Sequence, residues 1–174
     1  DGAGQAGGAG LAGQLVFLDL NDNGRLDAGS VAIRSPDTLV SIPDGGTTTS
    51  TLTVRDGVTI ADLNVTLDVT HTYDADLEAY LISPSGTRVE LFTGVGGAGA
   101  GFTGTTLDDE AGPSIADAGA PFSGSFRPEG RLSRVDGEES GGVWSLVRAD
   151  NRDWVSGSLI GWGVEVASGE RSGV

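Results

Sequence analysis

An all-β fold, an antiparallel and jelly-roll-like β-sandwich, is what this sequence predicts, and three observations predict it. In LNVTLDVTHTY, Leu63, Val65, Leu67, Val69, His71 and Tyr73 alternate with Asn64, Thr66, Asp68, Thr70 and Thr72, the period of a half-buried strand. Further period-2 runs follow, separated by clusters of Gly, Pro, Ser, Asp and Thr. No window reads as a capped amphipathic helix.

The elements then follow in chain order. Residues 1–13, DGAGQAGGAGLAG, form a Gly/Ala tail with Leu11 as its one sizeable apolar side chain. Such a segment orders most easily against another surface, of its own domain or of a neighbouring copy. Residues 14–35 begin with a strand-like QLVF and run into FLDLNDNGRLDAGS. Residues 36–168 carry the sandwich. LEAYLIS is apolar on both faces and reads as a central strand; TRVELF, GVWSLVRA and SGSLIGWGVEV supply others. Roughly eight short strands in ~140 residues is the content of a two-sheet sandwich or jelly roll. Its core is expected to contain Leu63, Val65, Leu67, Val69, Leu77, Leu81, Leu146 and Trp162. Residues 169–174 are a C-terminal tail.

Composition narrows function. The chain has 174 residues, enough for one ordinary domain with its own core. It has no cysteine, which excludes disulfides, thiolate metal sites and thiol nucleophiles. With 25 acidic against 10 basic residues the net charge is -15, so nucleic acid and anionic membrane are poor partners. The basic residues are all Arg, and divalent cations or salt are the natural complement of this surface. No apolar run approaches the ~20 residues of a membrane span. With no Met either, the sequence reads as a mature exported protein or an excised piece of one, in an extracellular setting.

Several stretches share their order and spacing with a known family. SIPDGGTTTSTLTV is followed by TLDVTHTYDADLEAYLISPSGTRVELF, by TTLDDEAGPSIADAGAPFSGSFRPEGRLS and by GGVWSLVRADNRDWVSGSLIGWGVEV. Within them stand His71-Thr72-Tyr73 with Asp76-Leu77, Ser83-Pro84-Ser85-Gly86-Thr87, and Trp144-x-Leu146 leading through Asp150 to Gly157, Leu159 and Trp162. From about Ser41 to Val166 the chain resembles the P domain found beside kexin-like and subtilisin-like proprotein convertases. The resemblance implies a jelly-roll sandwich without catalytic residues of its own, an accessory that stabilises a neighbouring protease domain or serves as a module in secreted proteins. One departure is Asn151-Arg152-Asp153-Trp154, which puts a bulky Trp into a loop that is usually small and polar in the family.

The residues themselves argue against catalysis. A hydrolytic triad needs an imidazole, and the only histidine, His71, falls on the apolar face of its strand, where a core residue making a hydrogen bond is the expected role. There is no Gly-x-Ser-x-Gly elbow.

Cation binding is better supported. Numbered from Asp19, residues Asp19, Asn21, Asn23 and Asp27 place oxygens at positions 1, 3, 5 and 9, with Gly24 at 6, the Arg25 carbonyl at 7 and Leu26 at 8. That is the calcium-loop spacing, broken at position 12, where Ser30 replaces the bidentate Glu. The loop resembles those of calcium-stabilised bacterial surface modules, and Ca2+ there would stiffen the joint between tail and sandwich. Loops carrying Asp74 and Asp76, Asp108 to Glu110, and Asp150 with Asp153 flank strand ends. Bacterial members of the resembled family often bind calcium through such loops, so a second cation site with Asp76, Asp109 and Asp150 is expected, the alternative being solvated turn carboxylates.

The expected function is therefore a non-catalytic, calcium-stabilised extracellular module. The first expectation is a structural subunit of a secreted filament or surface assembly, self-associating through residues 1–13. The alternative is the accessory P domain of a secreted subtilisin-like serine protease, with a protease domain as partner, or an adhesion module.

Overall fold

The computed structural model describes residues 30–151 and 156–169. Ten strands lie in that span: β1 (Ser30–Arg34), β2 (Val40–Ile42), β3 (Thr47–Val54), β4 (Ile60–His71), β5 (Leu77–Ile82), β6 (Arg88–Thr93), β7 (Phe102–Leu107), β8 (Phe122–Phe126), β9 (Gly142–Asp150) and β10 (Gly157–Ser168). The described helical structure is two 3-10 turns, Asp74–Asp76 and Leu132–Val135. One sheet has the order β1-β10-β4-β7-β8, with β2 also paired to β10; the other has the order β3-β9-β5-β6. Every pair is antiparallel except β7–β8. Residues 108–121 cross over between those two strands, and this is why they run the same way.

The alternation read from the sequence becomes the inter-sheet core. All eight side chains expected there are buried, and Ala79, Val89, Leu91, Trp144, Leu159 and Val164 join them. β5 is an inner strand between β9 and β6, as its apolarity on both faces requires. β1, which falls within the 14–35 segment, pairs with β10 and so belongs to the sheet.

Two features differ from the alternation. Tyr73 does not continue the buried face of β4. The strand ends at His71, the chain turns into Asp74–Asp76, and Tyr73 is 40% exposed. β7 and β8 escape a period-2 reading because each contains a left-handed glycine, Gly104 (φ 57) and Gly124 (φ 98), in a run of five or six residues. Their aromatics nonetheless anchor the fold. Phe92 stacks on Phe102 at 4.6 Å, Phe102 on Phe122 at 4.7 Å, and Phe126 closes the row edge-on at 5.7 Å.

Candidate functional site

The end of β4, the turn Asp74–Asp76 and the end of β9 bring four buried ionisable side chains, His71, Asp74, Asp76 and Asp150, to one end of the sandwich. Gly157, opposite His71 in the β4–β10 register, leaves room for the imidazole: a Cβ on Gly157 would stand 2.6 Å from His71 Cδ2. The ring is fully engaged. Nε2 lies 3.3 Å from Asp150 Oδ2, Nδ1 lies 2.9 Å from the Tyr73 carbonyl, and both partners of the His71–Asp150 pair have fully buried side chains. With both nitrogens committed and no exposure, His71 links two strand ends and presents no base to a substrate.

Asp74 sits beside it, wrapped by the run GVGGAGAG. Its amide donates to Gly99 O at 3.1 Å and Ala75 N donates to Gly97 O at 3.2 Å. Gly94, Gly96, Gly97 and Gly101 all take positive φ, which lets this loop fold over the turn. Asp74 Oδ1 accepts from Gly101 N at 3.0 Å, but Oδ2 is buried without a hydrogen-bond partner. Burial pushes its pKa up, against the Gly101 amide and His71, which favour the charged form. Asp74 shares with Asp76 one of the loops expected to bind a cation, and the adjacent glycine run is the sequence signal that its surroundings are closed.

Of the expected second cation set, Asp76 and Asp150 come together. Both are buried, Leu77 pairs with Asp150 in register, and Asn151 N donates to Asp76 O at 3.0 Å. Asp109 has a different setting. Its two oxygens accept from Leu132 N and Ser133 N, each at 2.9 Å, and so cap the Leu132–Val135 turn. Around it the carboxylates crowd. The Glu110 pKa is raised by its hydrogen bond to Asp108, with burial and Asp62 adding to the effect; that of Asp136 is raised by burial, then by Asp62 and Asp109. Among the described residues no three His, Asp or Glu side chains converge as a metal-holding group. A polar depression of about 280 Å³ lies nearby, lined by Asp109, Arg127, Pro128, Glu129, Gly130 and Arg131. Asp19, Asn21, Asn23, Arg25 and Asp27 lie outside the described residues, as do residues 1–13.

One further buried charge was not expected. Arg148 faces inward from β9 between Leu146 and Asp150, is 2% exposed, and none of its three guanidine nitrogens has a hydrogen-bond partner. Burial pulls its pKa down to about 10, with Asp37 acting the other way. Asp37 itself accepts from Ser50 Oγ at 2.8 Å, and Ser50 in turn accepts from Trp162 Nε1 at 2.8 Å.

Comparison with known proteins adds the family. The sequence profile of the proprotein convertase P-domain matches residues 60–166, which run from the start of β4 into β10. Curated protein sequences give no match. Among solved structures, the chain is similar in fold to the crystal structure of Aeromonas sobria serine protease in complex with the chaperone ORF2, with a TM-score of 0.52 and 20% identity over 82% of this chain and 27% of that one. It is similar also to the crystal structure of the serine protease of Aeromonas sobria, with a TM-score of 0.50 and 20% identity over 81% of this chain and 26% of that one. The match thus spans about a quarter of the length of those proteins. With the profile covering most of the chain, and a two-sheet sandwich carrying its motifs, this protein belongs to the proprotein convertase P-domain family.

Proposed function

We propose that this chain is a non-catalytic accessory domain that works beside a secreted serine protease domain. The P-domain match over residues 60–166 carries the reading. The chemistry supports it, because the sole imidazole is sealed in the core between Asp150 and the Tyr73 carbonyl, where it cannot serve a triad. The proteins of similar fold are themselves serine proteases, of which the match covers only a quarter. No helix among the described residues is long and apolar enough to cross a membrane. Mass spectrometry of the native protein tests the proposal. A mature chain well above 17.5 kDa whose additional part carries a serine protease triad is expected. A mature mass at 17.5 kDa overturns it in favour of a stand-alone subunit.

Calcium belongs to the same proposal. The spacing of Asp19, Asn21, Asn23, the Arg25 carbonyl and Asp27 fits a hard cation, which would stiffen the chain ahead of β1 without entering the core. Isothermal titration of metal-free protein should show calcium binding that Asp19→Ala and Asp27→Ala abolish, and titration without heat overturns the site.

A further inference from the structure

Among the described residues, the sheet edges are guarded in every case but one. The loop after β8 covers β6: Gly130 N donates to Glu90 O at 2.9 Å and Glu129 N to Leu91 O at 3.1 Å. β8 is five residues long and interrupted by Gly124. β1 and β2 have five and three residues, and β1 ends on Arg34. Short length, covering loops, kinks and charge are the usual protections of an edge. β3 is touched only near its middle, by the segment after β1, where Ser35 Oγ donates to the Thr51 carbonyl and Asp37 accepts from Ser50 Oγ. It runs eight residues, TTTSTLTV, in unbroken register with β9, and contains no charge, proline or glycine. Asp150 N donates to Gly46 O, which sets the parity of the pairing. Even-numbered residues of β3 therefore bond to β9, and Thr47, Thr49, Thr51 and Thr53 turn their amides and carbonyls outward. Of these outward groups only the Thr51 carbonyl has a partner among the described residues, the Ser35 hydroxyl at 3.2 Å.

We propose that β3 is the surface through which two copies of this chain pair, edge to edge and antiparallel. The partner is a second copy because the strand is its own complement. A two-fold axis at Ser50 sets Thr49 against Thr51 and Thr47 against Thr53, all with outward-pointing main-chain groups, and stands threonine opposite threonine on the exposed face. Charge points the same way. Two chains of net charge -15 repel over most of their surfaces, but the outward positions of β3 and β9, the four Thr with Val143, Ser145, Val147 and Ala149, are uncharged. In the pair, the partner copy's main chain takes over the Thr51 carbonyl from Ser35, and two four-stranded sheets become one. This goes beyond the accessory role and holds with or without an adjoining protease domain.

Sedimentation velocity of the intact chain at ~0.15 and ~0.5 M NaCl should show a reversible dimer that tightens with salt as repulsion is screened. Thr49→Lys lowers the net negative charge, which alone favours association, yet a lysine on the edge should raise the dimer Kd by about tenfold or more. Thr103→Lys, exposed on β7 of the other sheet, makes the same charge change and should not weaken the dimer. Because the chain has no cysteine, a mixture of Thr49→Cys and Thr51→Cys should form an interchain disulfide on oxidation, and Thr49→Cys with Thr103→Cys should not. A monomer at all concentrations, an undiminished Thr49→Lys dimer, or no Thr49–Thr51 cross-link overturns the proposal.

Discussion

Ser83 donates its hydroxyl to Glu138 at 2.6 Å, tying the turn after β5 to the segment after Leu132–Val135. Thr87 donates to the other carboxylate oxygen and Ser85 adds a third hydroxyl, so the polar residues of SPSGT converge on one acid. Burial opposes the charged form of Glu138, but the three hydroxyls outweigh it and hold its pKa below the ordinary value. A depressed carboxylate stabilises the fold above its ordinary pKa, and that contribution is lost as pH falls through the folded value. Glu138→Gln should therefore cost about 1 kcal/mol at neutral pH, solvent exposure limiting the loss, and the gap to wild type should close on acidification. Thermal melts across pH measure it.

Gly157 should tolerate no side chain. Its Cβ would stand 2.3 Å from Thr70 O, and backbone cannot step aside as a side chain can. Gly157→Ala is expected to destabilise by about 3 kcal/mol. Gly161, four residues on in the same strand, has nothing within 4 Å of an added Cβ, and Gly161→Ala should fall within about 0.5 kcal/mol of wild type in the same urea titration.

For Asp74 the sign runs the other way. An acid whose folded pKa is raised stabilises fully below its ordinary pKa and loses that contribution as pH rises through the folded value. Asp74→Asn keeps an oxygen for Gly101 N and removes the buried negative charge. It should gain about 1 kcal/mol at neutral pH and match wild type below the ordinary Asp range. A loss of stability at pH 7 would contradict this.

Arg148→Met should raise stability by about 1–3 kcal/mol, since it replaces an unpartnered buried guanidinium with an apolar chain of similar reach. Chemical denaturation with unchanged slope is the measurement that checks it.

Where the sequence alternates cleanly, the fold was legible. β4, β5, β6, β9 and β10 and all eight core residues follow from period and turn punctuation. β7 and β8 were hidden because Gly104 and Gly124 break their alternation, and Tyr73 was misplaced because no turn residue marks the end of β4 at His71. At the polar end, His71 was readable as a core residue from its strand position. That Asp76 and Asp150 meet while Asp109 caps another turn depends on strand register, which spacing along the chain does not encode. Arg148 alternates correctly with Trp144 and Leu146, yet an arginine at that position reads as solvated until its neighbours are seen.

β10 pairs with β1, β2 and β4 together, and the Ser30–Ala167 pair joins residues near opposite ends of the described span. The first sheet therefore has no centre until its last strand arrives. A chain emerging from the ribosome would hold β4, the longest strand beside β10, with one flank unpaired throughout synthesis, and closure must await its final dozen strand residues. Such long-range closure makes folding slow and keeps the nascent chain open. The order of the strands thus makes β10 the gate of the first sheet: β1, β2 and β4 gain their shared neighbour together, in one late step.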